Sequence, residues 1–332
     1  MPNLLIIQTS SLGDIVQSLR VASAIKAQQP DWTISWVVRD LFAPFVRTST
    51  VVDQMFVFRR HGGVRGFWQL LRELREKRFD VVMDMHGLLR SGLITKWSGG
   101  TRRIGRSDAR EGAALFYQEK ISLPAGGRAS HPMDILLQFC PAVGARAELA
   151  GPLQIRAIER LSLAFMEPRR GQKPILIFPD SRRSDKKWNG FAQFTALLIR
   201  EGGRKVVWAG TDYIPCKENF PEGTFVNLTG NTSLTSLSAL IAKADWVISN
   251  DSGAMHLSAA LGVKTAGLFG PTDPRVSGPY PLNSATNYAI QAPVGDLKLL
   301  PARDAYARFQ RIQLLAQKVA LPAQSLVASG RN

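Results

Sequence analysis

Residues 245–249, Asp-Trp-Val-Ile-Ser, read as a short buried strand that runs directly into Asp251-Ser252-Gly253-Ala254-Met255-His256. A helical stretch of small residues (257–261) follows. A second apolar strand then ends in Phe269-Gly270-Pro271-Thr272-Asp273-Pro274. A strand–helix–strand unit of this size delivers both strand ends, with their Gly, Ser, Thr and Asp groups, to one edge of a parallel sheet. Helix starts at such an edge point free backbone N–H groups outward, with the positive end of the helix dipole behind them. Taken singly, Asp251 reads equally well as a helix N-cap and Gly270-Pro271 as a turn. One strand apart, the two segments point together to a site for a nucleotide diphosphate.

The same rhythm runs through the chain twice. In the first half, residues 4–8 are a buried strand, Thr9-Ser10-Ser11-Leu12-Gly13-Asp14 a loop, and Ile15, Leu19, Ala22 and Ile25 the apolar stripe of a helix. Strands follow at 33–38, 52–58 and 80–84, the last leading into a helical 88–97. A looser stretch containing Gly126-Gly127 and Pro141 runs to about residue 150, and a helical segment at 158–166 ends before Pro168. The second half restarts with strands at 174–178, 205–208, 245–249 and 264–269, and after Asp304 a helical tail spans 306–319. This alternation predicts α/β architecture with doubly wound parallel sheets. The 332 residues suffice for two such domains. The expected division is 1–160, 161–305, and a tail at 306–332 packing back on the first domain. Ligands are expected in the cleft between the domains, beyond the carboxyl ends of the strands.

Several classes are disfavoured. No apolar run reaches the roughly 18–20 residues of a membrane span. The opening Met1-Pro2-Asn3-Leu4-Leu5 lacks a basic leader region and a cleavage site, so it reads as a mature start. Two cysteines, Cys140 and Cys216, make no disulfide framework or zinc spacing and fit a reducing cytoplasm. The histidines at 61, 86, 131 and 256 form no local metal cluster, and no pair of carboxylates typical of metal-dependent sugar transferases closes a strand. The first loop is not G-x-G-x-x-G, which argues against a dinucleotide oxidoreductase.

The net charge is +16. Residues 59–110 hold 13 Lys/Arg against 5 Asp/Glu, whereas the rest of residues 1–160 is balanced at 9 against 9. The excess of the first half is thus one arginine-rich block: Arg59, Arg60, Arg65, Arg90, Arg102, Arg103, Arg106 and Arg110. Part of it alternates with glutamates on a helix face around Phe67, Leu70, Leu71 and Leu74. The arginines on either side read as loop residues, whose forks match carboxylates and phosphates. They imply an anionic partner: nucleic acid, an acidic lipid surface or an acidic sugar. No helix-turn-helix, zinc-finger or RNA-recognition signature supports nucleic acid.

The Thr9–Asp14 loop, Asp185-Lys186-Lys187-Trp188, the Asp251–His256 segment and Gly270-Pro271-Thr272-Asp273-Pro274 resemble, in order and spacing, the motif series of the lipopolysaccharide heptosyltransferases (glycosyltransferase family 9), most of all the heptosyltransferase I branch. Asp108-Ala109-Arg110-Glu111 and Phe116-Tyr117 also sit where that branch has similar residues. The resemblance spans essentially the whole chain. It implies a GT-B fold, with an acidic glycolipid acceptor on the first domain and an ADP-sugar on the second. It also implies inverting, metal-independent transfer of heptose from ADP-heptose to the 3-deoxy-manno-octulosonic acid (Kdo) of Kdo–lipid A. No cofactor is expected, and the setting is a cytoplasmic monomer held peripherally at the inner membrane.

On that resemblance Asp14 is the base and Lys186 the cation for the departing diphosphate. Their plainer alternatives are a helix-start aspartate and a solvated lysine. The donor set comprises Ser181, Lys186, Asp212, Asp251, Ser252, Gly253, Gly270, Thr272 and Asp273, with His256 either there or in packing. The acceptor set comprises Ser10, Ser11, Gly13, Arg59, Arg60 and Arg110. The chain departs from the family pattern at Asp212, in place of a glutamate for the ribose, at Gln17 and Arg20 in the first helix, and at Arg182 ahead of Lys186; the alternative these departures leave open is a related GT-B glycosyltransferase with another nucleotide sugar or another acceptor.

Overall fold

The structure, a computed structural model, describes residues 1–156 and 163–320. The chain divides into two compact units, Met1–Glu159 and Arg160–Asn332. Each is built on its own six-stranded parallel sheet.

In the first unit the strands are β1 (Asn3–Ile7), β2 (Thr33–Arg39), β3 (Gln54–Phe58), β4 (Val81–Asp84), β5 (Arg102–Arg106) and β6 (Glu119–Ile121), in the order β3-β2-β1-β4-β5-β6. Helices α1 (Leu12–Gln28), α2 (Ala43–Val46), α3 (Gly63–Arg75), α4 (Leu89–Trp97) and α5 (Pro132–Leu137) accompany them. Leu4, Leu5, Ile6 and Ile7 of β1 are wholly buried, as a central strand covered on both faces must be. On one face Leu5, Ile7 and Val82 pack with Leu70, Leu71 and Leu74 of α3 and with Ile94 of α4. The strand order reverses between β1 and β4. The loops leaving those two strands therefore diverge and open a crevice at the carboxyl edge.

The second unit repeats the design with β7 (Ile175–Phe178), β8 (Val206–Gly210), β9 (Phe225–Thr229), β10 (Trp246–Asn250), β11 (Lys264–Phe269) and β12 (Asn287–Gln291), in the order β12-β11-β10-β7-β8-β9. Its helices are α6 (Phe191–Arg200), α7 (Leu234–Lys243), α8 (Gly253–Ala260), α9 (Pro274–Ser277) and α10 (Ala302–Ala320). Here the order reverses between β7 and β10.

Four strands escaped the sequence pattern. β5 reads Arg-Arg-Ile-Gly-Arg, with a single large apolar residue, and β6 is a three-residue edge strand. Neither contains the apolar run by which buried strands are recognised. β9 and β12 carry polar residues among their apolar ones and lie at the two sheet edges. β5 corrects the reading of the arginine block, because Arg102, Arg103 and Arg106 are strand residues. Arg102 donates two hydrogen bonds to the Glu119 carboxylate at 2.8 Å. One arginine of the block is therefore paired with a carboxylate of the neighbouring strand at the protein surface.

The tail is a second correction. It was expected to return to the first unit, yet Tyr306, Phe309, Ile312 and Ala316 of α10 join the core of the second, where Phe309 meets the rings of Phe194 and Trp246. The apolar stripe of α10 is spent there, because residues of α6 and β10 offer it an aromatic surface in its own unit. Residues 321–332, and residues 158–162 of the expected helical segment, lie outside the described residues. Of that segment Ala164–Met166 form a short 3-10 turn. Among the described residues no helix is long and apolar enough to cross a membrane.

Candidate functional site

In the first unit the crevice at the strand-order reversal is a cavity of about 380 Å³. Its lining comes from the loop and helix after β1 (Gln8, Asp14, Gln17), the loop after β4 (His86, Gly87), the end of β5 and the loop beyond it (Arg106, Asp108, Arg110), and from Arg128 and Pro132. Asp14 is an exposed residue in the first turn of α1. Its Oδ2 accepts from the backbone N–H of Ser11 at 2.9 Å and from the Ser11 hydroxyl at 2.8 Å. The carboxylate thus caps the helix start, as the plainer reading of Asp14 has it, and also lines the cavity. Gly13 is buried, while Ser10 and Ser11 are half-buried beside it.

Behind the cavity lies a polar network that sequence reasoning missed. Asp84, at the end of β4, is fully buried. Its Oδ1 accepts from the backbone N–H groups of His86 and Gly87 at 3.0 Å, and its Oδ2 from the Tyr117 hydroxyl at 2.7 Å. Tyr117 reaches it by crossing Gly105, where any Cβ would collide with the phenol ring. Burial raises the Asp84 pKa despite these donors, and burial next to Asp84 raises that of Tyr117. Burial lowers the His86 pKa against the pull of Asp84 and Asp14. Arg106 grips Asp108 in a two-pronged pair, Nε to Oδ1 at 2.9 Å and the terminal nitrogen to Oδ2 at 2.8 Å. The pair holds the Asp108 carboxyl below its usual range. Burial opposes the charge on Arg106, but Asp108, Asp14 and Asp84 more than offset it. The available signal was positional: Asp84-Met85-His86-Gly87 leaves a central strand at the same edge as Thr9–Asp14.

The acceptor arginines separate. Arg110 lines the cavity. Arg59 and Arg60, exposed just beyond β3, are not among its lining residues, since β2 stands between β3 and β1 in the sheet. They adjoin the start of α3, where Val64 is 73% and Trp68 54% exposed. Trp68 stacks on Trp97 with ring centroids 5.9 Å apart.

In the second unit, Asp251 immediately follows β10 and is nearly buried. Its Oδ2 collects the Lys186 ammonium at 2.5 Å, the Thr272 hydroxyl at 2.8 Å and the Ser277 hydroxyl at 3.3 Å. Three segments, from the ends of β7, β10 and β11, are thereby tied at the second strand-order reversal. Asn250 fixes the geometry, with its amide donating to the Pro179 carbonyl at 2.9 Å and its oxygen accepting from the Trp188 N–H at 3.2 Å. Trp188 itself is buried against Phe191 and Phe194, which anchors the loop carrying Lys186. Ser252 is the N-cap of α8, its hydroxyl 2.9 Å from that of Ser249, and Gly253 opens the helix. Gly270 lies close to the Asp185 carbonyl and the Leu297 side chain, leaving no room for a Cβ without displacement.

Asp273 caps α9 through the Arg275 N–H at 2.8 Å and pairs with the Arg275 guanidinium, which lowers its pKa. His256 is half-buried on α8, Ser181 half-buried after β7, and Asp212 exposed after β8. A second cavity, about 460 Å³, lies beside the Lys186 and Gly270 loops, lined by Asp185, Lys187, Pro271 and Asp296 among others. Among the described residues no group of three or more His, Cys, Asp or Glu is placed to hold a metal.

The family description "Glycosyltransferase family 9 (heptosyltransferase)" matches residues 67–294. The chain is 26% identical over 293 residues to the lipopolysaccharide core heptosyltransferase OpsX of Haemophilus influenzae, covering 84% of this chain and 82% of that one. It is 27% identical to lipopolysaccharide heptosyltransferase 1 of Escherichia coli O18:K1:H7, covering 96% and 99%. Among solved structures, E. coli heptosyltransferase WaaC with ADP aligns with a TM-score of 0.75 at 22% identity, over 93% of this chain and 99% of that one. That likeness shows the shared GT-B fold of two doubly wound units. With the family matched over more than two thirds of its length, the chain belongs to glycosyltransferase family 9, the heptosyltransferases, and is a glycosyltransferase.

Proposed function

We propose that this protein transfers heptose from ADP-heptose to the Kdo of Kdo–lipid A, with inversion and without a metal, in assembly of the lipopolysaccharide inner core. The observation that carries the reading is the Lys186–Asp251–Thr272 cluster at the strand-order reversal of the second unit, directly ahead of the α8 N-terminus. A diphosphate placed there meets the ammonium of Lys186, the N–H groups of Ser252 and Gly253, and the positive end of the α8 dipole. These groups stabilise the charge that grows on the departing ADP. Lys186 supplies the cation that a divalent ion supplies in other transferases.

On the acceptor side, Asp14 takes the proton of the attacking hydroxyl as its oxygen forms the new bond to the anomeric carbon. The carbon–oxygen bond to the diphosphate breaks on the opposite face. Arg110 and Arg128 give the cavity a positive rim suited to the Kdo carboxylate. The exposed Arg59, Arg60, Val64 and Trp68 suit the lipid-bearing part of the acceptor at the inner membrane surface. The test is a product assay with ADP-heptose and Kdo–lipid A in the presence and absence of EDTA. A Kdo-linked heptose of inverted configuration, formed at an EDTA-independent rate, is expected. Loss of transfer on chelation, or transfer only from another nucleotide sugar, overturns the reading.

A further inference from the structure

Arg110 is exposed at the first-unit cavity, and among the described residues no hydrogen bond holds its guanidinium. Its place is therefore set through the main chain. The Arg110 N–H donates to the Gly87 carbonyl at 2.9 Å, and the Arg110 carbonyl accepts from the Ala113 N–H at 3.0 Å. Gly87 belongs to the turn that leaves β4 and sits in the left-handed region at φ +70°. A Cβ there would lie 3.3 Å from Arg106 Cδ, so the turn rests closely on the end of β5 and carries Arg110 on its carbonyl. The turn in turn hangs on Asp84. That carboxylate is 0% exposed, and its Oδ1 accepts both N–H groups of the turn, from His86 and Gly87, at 3.0 Å. Its Oδ2 accepts from the Tyr117 hydroxyl at 2.7 Å, and the Ser91 hydroxyl adds a further bond to the carboxylate. A buried carboxylate with so many donors has one position, because any shift leaves a donor unpaired away from water.

We propose that Asp84, locked by Tyr117, is a positioning residue for acceptor binding: through Gly87 it holds the Arg110 backbone where the guanidinium meets the carboxylate of the acidic sugar. The assignment rests on the acceptor reading given above. Asp84 is not among the residues that line the cavity, so it acts only through the turn it holds. Sub-ångström placement of a binding group governs how well it meets its ligand, and such placement comes from the hydrogen bonds behind it.

A double-mutant cycle separates positioning from general support of the fold. Tyr117→Phe keeps the ring over Gly105 and removes only the hydroxyl. With a delipidated Kdo acceptor it should raise the KM about five- to tenfold, within the range of one lost hydrogen bond. The kcat and the ADP affinity should change little. In an Arg110→Ala background the same change should raise the acceptor KM by less than about twofold, because the group it places is gone. Equal effects in the two backgrounds, or an unaltered KM in Tyr117→Phe, overturn the proposal. Asp84→Ala should do more damage than Tyr117→Phe, and Asp84→Asn should recover most of that loss. The asparagine oxygen still accepts from the two N–H groups, and its NH₂ donates to the tyrosine oxygen. An Asp84→Asn enzyme as poor as Asp84→Ala would mean that charge, not geometry, is at work, and overturns the positioning role. Where Asp84→Ala does not fold, Tyr117→Phe carries the test. Amide hydrogen exchange reads the same link without any activity. The Arg110 N–H should lose protection in Tyr117→Phe while the amides of β10 keep theirs, and unchanged protection at Arg110 overturns the link. If the unaltered enzyme transfers nothing to a Kdo glycolipid while Arg110 loses protection as expected, the acceptor reading fails and the Tyr117–Asp84–Gly87 link stands.

Discussion

Lys186 Nζ lies 2.5 Å from Asp251 Oδ2, with the two side chains only 15% and 7% exposed. Sixty-five residues separate them in sequence. A pair this well buried is sensitive to the loss of one partner, because the other is left as an uncompensated charge.

Asp251→Ala should therefore cost about 3–5 kcal/mol of stability and abolish donor binding. Lys186→Met leaves Asp251 with the Thr272 and Ser277 hydroxyls and should destabilise less. The double variant Lys186→Met/Asp251→Leu is expected to regain most of the melting temperature while still failing to bind ADP. Thermal melts and calorimetry on the three variants separate the structural part of the pair from its ligand part. A double variant as unstable as Asp251→Ala would mean that the pairing is not what the stability loss reports.

Asp14 serves as helix cap and as proposed base, and Asp14→Asn separates the roles. Asparagine keeps an oxygen to accept from the Ser11 N–H but cannot take a proton. The kcat should fall by about 10²–10⁴ with nearly unchanged substrate KM values and melting temperature. Asp14→Ala removes both functions and should add about 1 kcal/mol of destabilisation. A fully active Asp14→Asn enzyme would leave Asp14 as a cap alone.

Arg110 lines the cavity and Arg59 and Arg60 do not, so their substitutions should diverge. Arg110→Ala should raise the acceptor KM with delipidated and lipid-bearing acceptors alike. Arg59→Ala/Arg60→Ala should matter chiefly for the lipid-bearing form and for sedimentation with anionic vesicles. ADP affinity is expected to be unaffected in both. Equal losses with both acceptors for both variants would merge the two groups into one site.

Burial holds His86 below the ordinary histidine value of 6.5. As pH falls below that value the unfolded ring takes up a proton that the folded ring refuses, so the unfolded state binds more protons and stability drops. Between about pH 6.5 and 5 the melting temperature should decline more steeply for the unaltered protein than for His86→Gln. Parallel curves would show that His86 is not held neutral by the fold.

An α/β chain with two doubly wound halves could be read from the residues alone, together with the loops where chemistry gathers. Residues 4–8, 174–178, 245–249 and 264–269 carry their strand assignment in local apolar runs, and a Gly, Ser or Asp at a strand end is visible one residue at a time. Asp251 and Thr272 were therefore legible as candidates, and Lys186 became one only through the family resemblance. Their convergence on one oxygen was not, because it depends on β7, β10 and β11 lying side by side, and strand order is a property of the whole sheet. β5 was hidden for the opposite reason: its arginines mask a strand that only pairing with β4 and β6 sustains, and with it the pairing of Arg106 to Asp108. The Gln8–His86 contact joins residues 78 apart in sequence, and only the side-by-side pairing of β1 with β4 brings them together. The destination of α10 belongs to the same class. Its periodicity specified a helix with one apolar face, and only the aromatic surface offered by Phe194 and Trp246 decided where that face would be buried.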